Sequence, residues 1–85
     1  QMLPGFDNNL DRANELAERA VALDGTSAFA LARLGFIQAW LHRYDIAIAN
    51  LEKAIALAPN DAEVYATFGQ VLNFWGDPER ALVML

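Results

Sequence analysis

Apolar residues recur at steps of three and four along almost the whole chain. Over Asn9 to Leu23 they fall at Leu10, Ala13, Leu16, Ala17, Ala20 and Leu23, which places them on one face of an α-helix. Asn9 is the expected N-cap, and Gly25, just past the last turn, is the expected left-handed stop. A second helix is predicted after Thr26 or Ser27, either of whose hydroxyls can cap its free amides, and runs to about Leu41. It is apolar nearly all round, with only Arg33 and Gln38 interrupting, so it should be covered on more than one side. His42 and Arg43 form a tight turn, Tyr44 or Asp45 opens a third helix through Leu57, and Pro59 closes it. Asn60 and Glu63 have the spacing of a capping box ahead of a fourth helix that reaches about Trp75. Gly76 stops that helix, and Asp77 followed by Pro78 opens a fifth. Residues 1–7, with Pro4, Gly5 and Asp7, read as a lead-in. No strand-like alternation competes over any useful window, so the expected class is all-α.

A fixed step of 34 residues runs through this pattern. It carries Leu34 and Gly35 onto Phe68 and Gly69, Ala13 onto Ala47 and then Ala81, and Ala20 onto Ala54. Small residues at a constant period are what a stack of helical hairpins requires, because close helix approach recurs once per repeat. Gly35 and Gly69 remove a side chain where the second helix of the same hairpin crosses. Ala47 and Ala81 do so from the other side. A larger residue at such a crossing forces the helices apart, typically at a cost of about 1 to 3 kcal/mol.

In this register the chain resembles the tetratricopeptide repeat, a pair of antiparallel helices in about 34 residues. Leu31, Leu34, Gly35, Gln38, Ala47, Leu51, Ala54 and Pro59 fall at the pattern positions. Gln38 stands where the family usually has Tyr, and Leu51 where Phe is common. The complete copy is expected over residues 28–61. A truncated copy over 62–85 supplies Tyr65, Phe68, Gly69, Leu72, Ala81 and Leu85. Residues 8–27 supply the second helix of a preceding copy, with Ala13, Ala17 and Ala20 in place and Gly25 replacing the family proline. The resemblance implies antiparallel helix-turn-helix hairpins stacked as a short right-handed α-solenoid. The start at Gln1 and the stop at Leu85 inside an apparent helix are what a piece of a longer, bacterial-type array would show.

In this family the first helix of each repeat lines a concave side that binds peptides. Carried over residue by residue, the lining is Phe29, Ala32, Arg33, Phe36, Ala39 and Trp40 in one helix. In the next it is Glu63, Ala66, Thr67, Gln70, Asn73 and Phe74. The competing reading is that Phe29, Phe36 and Trp40 pack on a neighbouring repeat, the lead-in or a second copy, and that Glu63, Thr67 and Gln70 form a solvated face. One subset of the family grips a terminal carboxylate with Lys, Asn and Arg. Here the matching positions hold Ala32 and Phe36, or Ala66 and Gln70, and Glu63 stands where Lys is needed, which disfavours that mode.

Composition narrows the chemistry. The chain has 85 residues, 55% of them hydrophobic, enough for one packed domain. A formal charge of −5 with only six scattered Lys and Arg residues argues against nucleic-acid binding. No apolar run approaches the length of a membrane span, and a cytoplasmic location is expected. There is no cysteine, and His42 is the single histidine, so neither a thiolate nor a metal cluster is expected. Asp11, Glu15 and Glu18 share a side of the first helix but sit among Arg12 and Arg19, where helix pairing accounts for them. Ser27 has no His placed to activate it, and no phosphate loop or nucleophile elbow is present. These features point to a scaffold without a cofactor rather than an enzyme, with a protein or peptide as partner. Self-association through exposed end helices is a second reading. A third, by likeness of wording around Tyr44 to Pro59 and Gly76 to Glu79, is a regulatory appendage of a larger signalling protein such as a nucleotide cyclase or transcription regulator.

Overall fold

The structure, a computed structural model, describes residues 6–76 and the side chains of residues 9–76. Four α-helices follow one another: α1 (Phe6–Leu23), α2 (Ala28–Trp40), α3 (Tyr44–Leu57) and α4 (Ala62–Trp75). No strand occurs among the described residues. The fifth helix expected after Asp77, and Ala81 with it, lie outside them.

The helix boundaries follow local chemistry, sometimes differently from the sequence expectation. α1 begins at Phe6, so Asn9 lies inside the first turns and caps nothing. Gly25 does not take the left-handed conformation. The chain turns there through Asp24, whose Oδ1 accepts hydrogen bonds from the Thr26 amide (3.0 Å) and hydroxyl (2.6 Å). Those bonds, the hydroxyl's first, favour the ionised carboxyl and hold its pKa below the usual aspartate value. Ser27 caps α2 as expected, its Oγ accepting from the Ala30 amide at 3.1 Å. α4 is capped by Asp61 rather than by Asn60. Its Oδ1 accepts from the amides of Glu63 (2.9 Å) and Val64 (3.4 Å), so the reciprocal box predicted from Asn60 and Glu63 is replaced by a simple aspartate cap.

Among the described residues His42 takes the left-handed conformation, with φ 62°. Its amide donates to the Ala39 carbonyl (3.0 Å), and the next amide, Arg43, donates to the Gln38 carbonyl (2.9 Å). This pair of bonds is the Schellman arrangement that ties off a helix end, built here on a residue that must tolerate a strained backbone.

α2 lies at the centre and packs against α1, α3 and α4, as its nearly all-apolar surface requires, while α3 also touches α4. The hydrophobic core cluster comprises Leu31, Ala32 and Ala39 from α2, Ala47, Leu51 and Ala54 from α3, and Val64, Phe68, Val71 and Leu72 from α4, and Leu34 of α2 is buried as well. The closest approach is at Gly35. A Cβ there would stand 2.7 Å from Leu51 Cγ and 3.0 Å from the Ala47 carbonyl oxygen, so α3 closes onto α2 at this point because α2 carries no side chain there. Gly69, in the same register of α4, is also buried. One polar pair sits within this hairpin: the Asn50 amide donates to Oε1 of the buried Gln38 at 2.7 Å. Tyr44 sends its hydroxyl back to donate to the Val71 carbonyl at 3.4 Å, and loss of surrounding water raises its pKa.

Candidate binding groove

α2 and α4 lie side by side as the two first helices of successive hairpins, and a cleft of about 410 Å³ opens along them. Its floor is apolar: Ala32, Phe36 and Ile37 from α2, Val64 from α4, with Ala13 of α1 closing one edge. On the α2 wall the Arg33 guanidinium lies over the Phe29 ring, 5.7 Å from its centroid, a contact that holds both side chains against the helix. The α4 wall carries Asp61, Glu63, Thr67 and Gln70. Thr67 donates its hydroxyl to the Glu63 carbonyl at 2.9 Å, a local bond within the helix. Phe29 is 59% exposed, so a large apolar surface stands open at the rim.

Of the twelve lining residues expected from the sequence, seven line the cleft: Phe29, Ala32, Arg33, Phe36, Glu63, Thr67 and Gln70, while Ala39 is buried and Ala66 lies outside it. Asn73 is exposed but outside it. Trp40 and Phe74 belong instead to a ring cluster at the far ends of the two helices. There the Trp40 and Trp75 centroids are 5.1 Å apart, Phe36 stands edge-on to both at 6.5 Å, and Phe74 is 5.8 Å from Trp75. Edge-to-face geometry of this kind stabilises aromatic contacts beyond their buried area. The cluster therefore splices α2 to α4, while Trp40 (48%) and Phe74 (71%) still show much of their surface to solvent.

Four cleft residues escaped the sequence reading: Ala13, Ile37, Asp61 and Val64. For Asp61 a signal was present, because the 34-residue step carries the cap Ser27 onto Asp61, and the capping-box pattern at Asn60 obscured it. Trp75, expected only as the end of the fourth helix, also joins the ring cluster; the same step relates it to Leu41.

The α2–α3 hairpin, with a glycine where its two helices meet, coincides with matches to two family models, each described as Tetratricopeptide repeat, over residues 28–61 and 50–83. The chain belongs to the tetratricopeptide repeat family. Together the two matches cover residues 28–83, and the fold is a helical-hairpin repeat solenoid. No curated protein matches the chain. Tetratricopeptide repeats generally mediate protein–protein interaction and are generally non-catalytic. Among the described residues no group of three or more His, Cys, Asp and Glu could hold a metal ion, and no described helix is long and apolar enough to cross a membrane.

Proposed function

We propose that this tetratricopeptide repeat domain binds a peptide or protein segment in the cleft between α2 and α4. The observation that carries this reading is the cleft itself: an apolar floor flanked by walls with hydrogen-bonding side chains, open along its length. Such a shape suits an extended segment that buries alternate side chains while polar groups fix its orientation. Trp40 and Trp75 stand at one end and serve as intrinsic reporters. Titration of partner peptides against tryptophan fluorescence should give saturable changes in the native domain. Thr67→Trp, which fills the cleft from a half-exposed position, should abolish them without lowering the melting temperature. Binding that survives the filled cleft would contradict the assignment.

A second reading rests on a different observation. On α1, Leu16 is 53% exposed and joins Ala13, Ala17 and Ala20 in lining an apolar hollow of about 320 Å³ with Phe29, Ala30, Arg33 and Ile37 of α2. Self-association through that hollow would bury it. Sedimentation at increasing concentration decides: a particle that stays monomeric rules this reading out.

A further inference from the structure

The cleft between α2 and α4 is electrically lopsided, and the asymmetry bears on what enters it. Asp61 and Glu63 place two carboxylates on the α4 wall, whereas Arg33 is the only cationic side chain among its lining residues. Arg33 is also already engaged, its guanidinium resting over the Phe29 ring on the opposite wall. Between the walls lie Phe36 and Val64, which offer an apolar seat.

We propose, building on the groove reading, that the occupant is a protein segment presenting an apolar side chain next to a Lys or Arg. The apolar side chain seats against Phe36 and Val64, and the cation is held by Glu63 and Asp61. Two physical features favour this occupant over an acidic one, and a third sets its orientation. An acidic side chain on the α4 side would face two like charges, a juxtaposition that interfaces use to reject partners. The chain's formal charge of −5 draws basic segments inward before contact. Arg33 repels a cation from the α2 wall, so the charge pattern also sets which way round the segment lies, its carbonyl groups or an acidic neighbour facing Arg33.

The test uses two labelled heptapeptides of alternating leucine with either lysine or glutamate, followed by fluorescence anisotropy at low ionic strength. The lysine peptide should bind more tightly by up to about fivefold, as expected when one partly exposed ion pair is gained. Added salt should narrow the gap, and Glu63→Lys should reverse the preference. Asp61→Asn retains a capping side chain, so it should narrow the gap while leaving the melting temperature in place. Equal or tighter binding of the glutamate peptide, with Thr67→Trp abolishing both, overturns the charge preference and leaves the groove reading standing. Lysine-peptide binding that persists in Thr67→Trp overturns the groove reading itself. Failure of both peptides to bind overturns the proposal.

Discussion

α1 and α3 occupy the same place in the 34-residue register and are packed in opposite ways. Ala47, Leu51 and Ala54 of α3 are completely buried beneath α2. Their counterparts in α1 are Ala13 and Ala17, which are half-buried, and Ala20, which is exposed. α3 places Ile48 against the core, and at the same step α1 has Asn14, buried with a side-chain oxygen that meets no hydrogen-bond partner. The register marks the face built for close approach; it does not bring a helix to that face. Where α2 lies on α3, small residues become structural requirements. On α1 they border an apolar hollow.

The largest expected contrast comes from putting the same side chain at the two equivalent alanines. Ala47→Phe should destabilise the domain by about 3 kcal/mol, since Ala47 is completely buried and a larger side chain there overpacks the core. For a domain of this size each kcal/mol lowers the melting temperature by about 4 to 8 °C. Ala13→Phe should change stability by less than about 0.5 kcal/mol. Thermal melts of the pair check this, and equal losses would show that α1 is as tightly covered as α3.

Next in size is the polar intrusion on α1. Asn14→Leu branches at the same atom and removes the unsatisfied oxygen, so it should stabilise the domain by about 1 kcal/mol in chemical denaturation. A clear loss would mean that water or another group satisfies Asn14 after all.

A smaller gain is expected where the chain passes from α2 into α3. His42→Gly relieves a left-handed residue and should raise stability by about 0.5 kcal/mol, part of the relief being offset by the freer unfolded chain. The equivalent position after α4 is already glycine, Gly76, with a φ of −136°, so the left-handed ending is a property of one hairpin turn and not of the register.

The smallest effect concerns the turn that leaves α1. Because the Asp24 pKa is lowered in the folded chain, its contribution is present above the unfolded aspartate pKa of about 3.9 and fades as pH falls through the folded value. Asp24→Asn should flatten that part of an acid titration of stability. An unchanged profile would mean that the Thr26 bonds do not persist in solution.

Much of this fold was legible because the apolar period and the small-residue step describe the same objects at two scales. Ser27, Gly35, Leu57 and Trp75 fall where the pattern puts them. The errors arose where two signals competed within a few residues. Asn60 and Asp61 can both cap, and the geometry of the turn after Pro59 selects Asp61. After α1, Gly25 and Asp24 both offer a turn, and the Asp24 side chain, accepting from Thr26, sets it without a left-handed glycine. The groove was half legible. The repeat register identifies which helix faces line it, but the division between an open cleft at Phe29 and Glu63 and a ring cluster at Trp40 and Trp75 depends on how α2 and α4 lean together, and no local pattern encodes that.

The central claim is that the α2–α4 cleft, not the open face of α1, is where a partner segment is held. Backbone amide shift mapping by NMR during titration with the leucine–lysine heptapeptide tests it most directly. The account predicts saturable shifts concentrated at Phe29, Arg33, Phe36, Glu63, Thr67 and Gln70, with Leu16, Ala17 and Ala20 unmoved. Shifts centred on Leu16, Ala17 and Ala20, with the α4 wall silent, would contradict it.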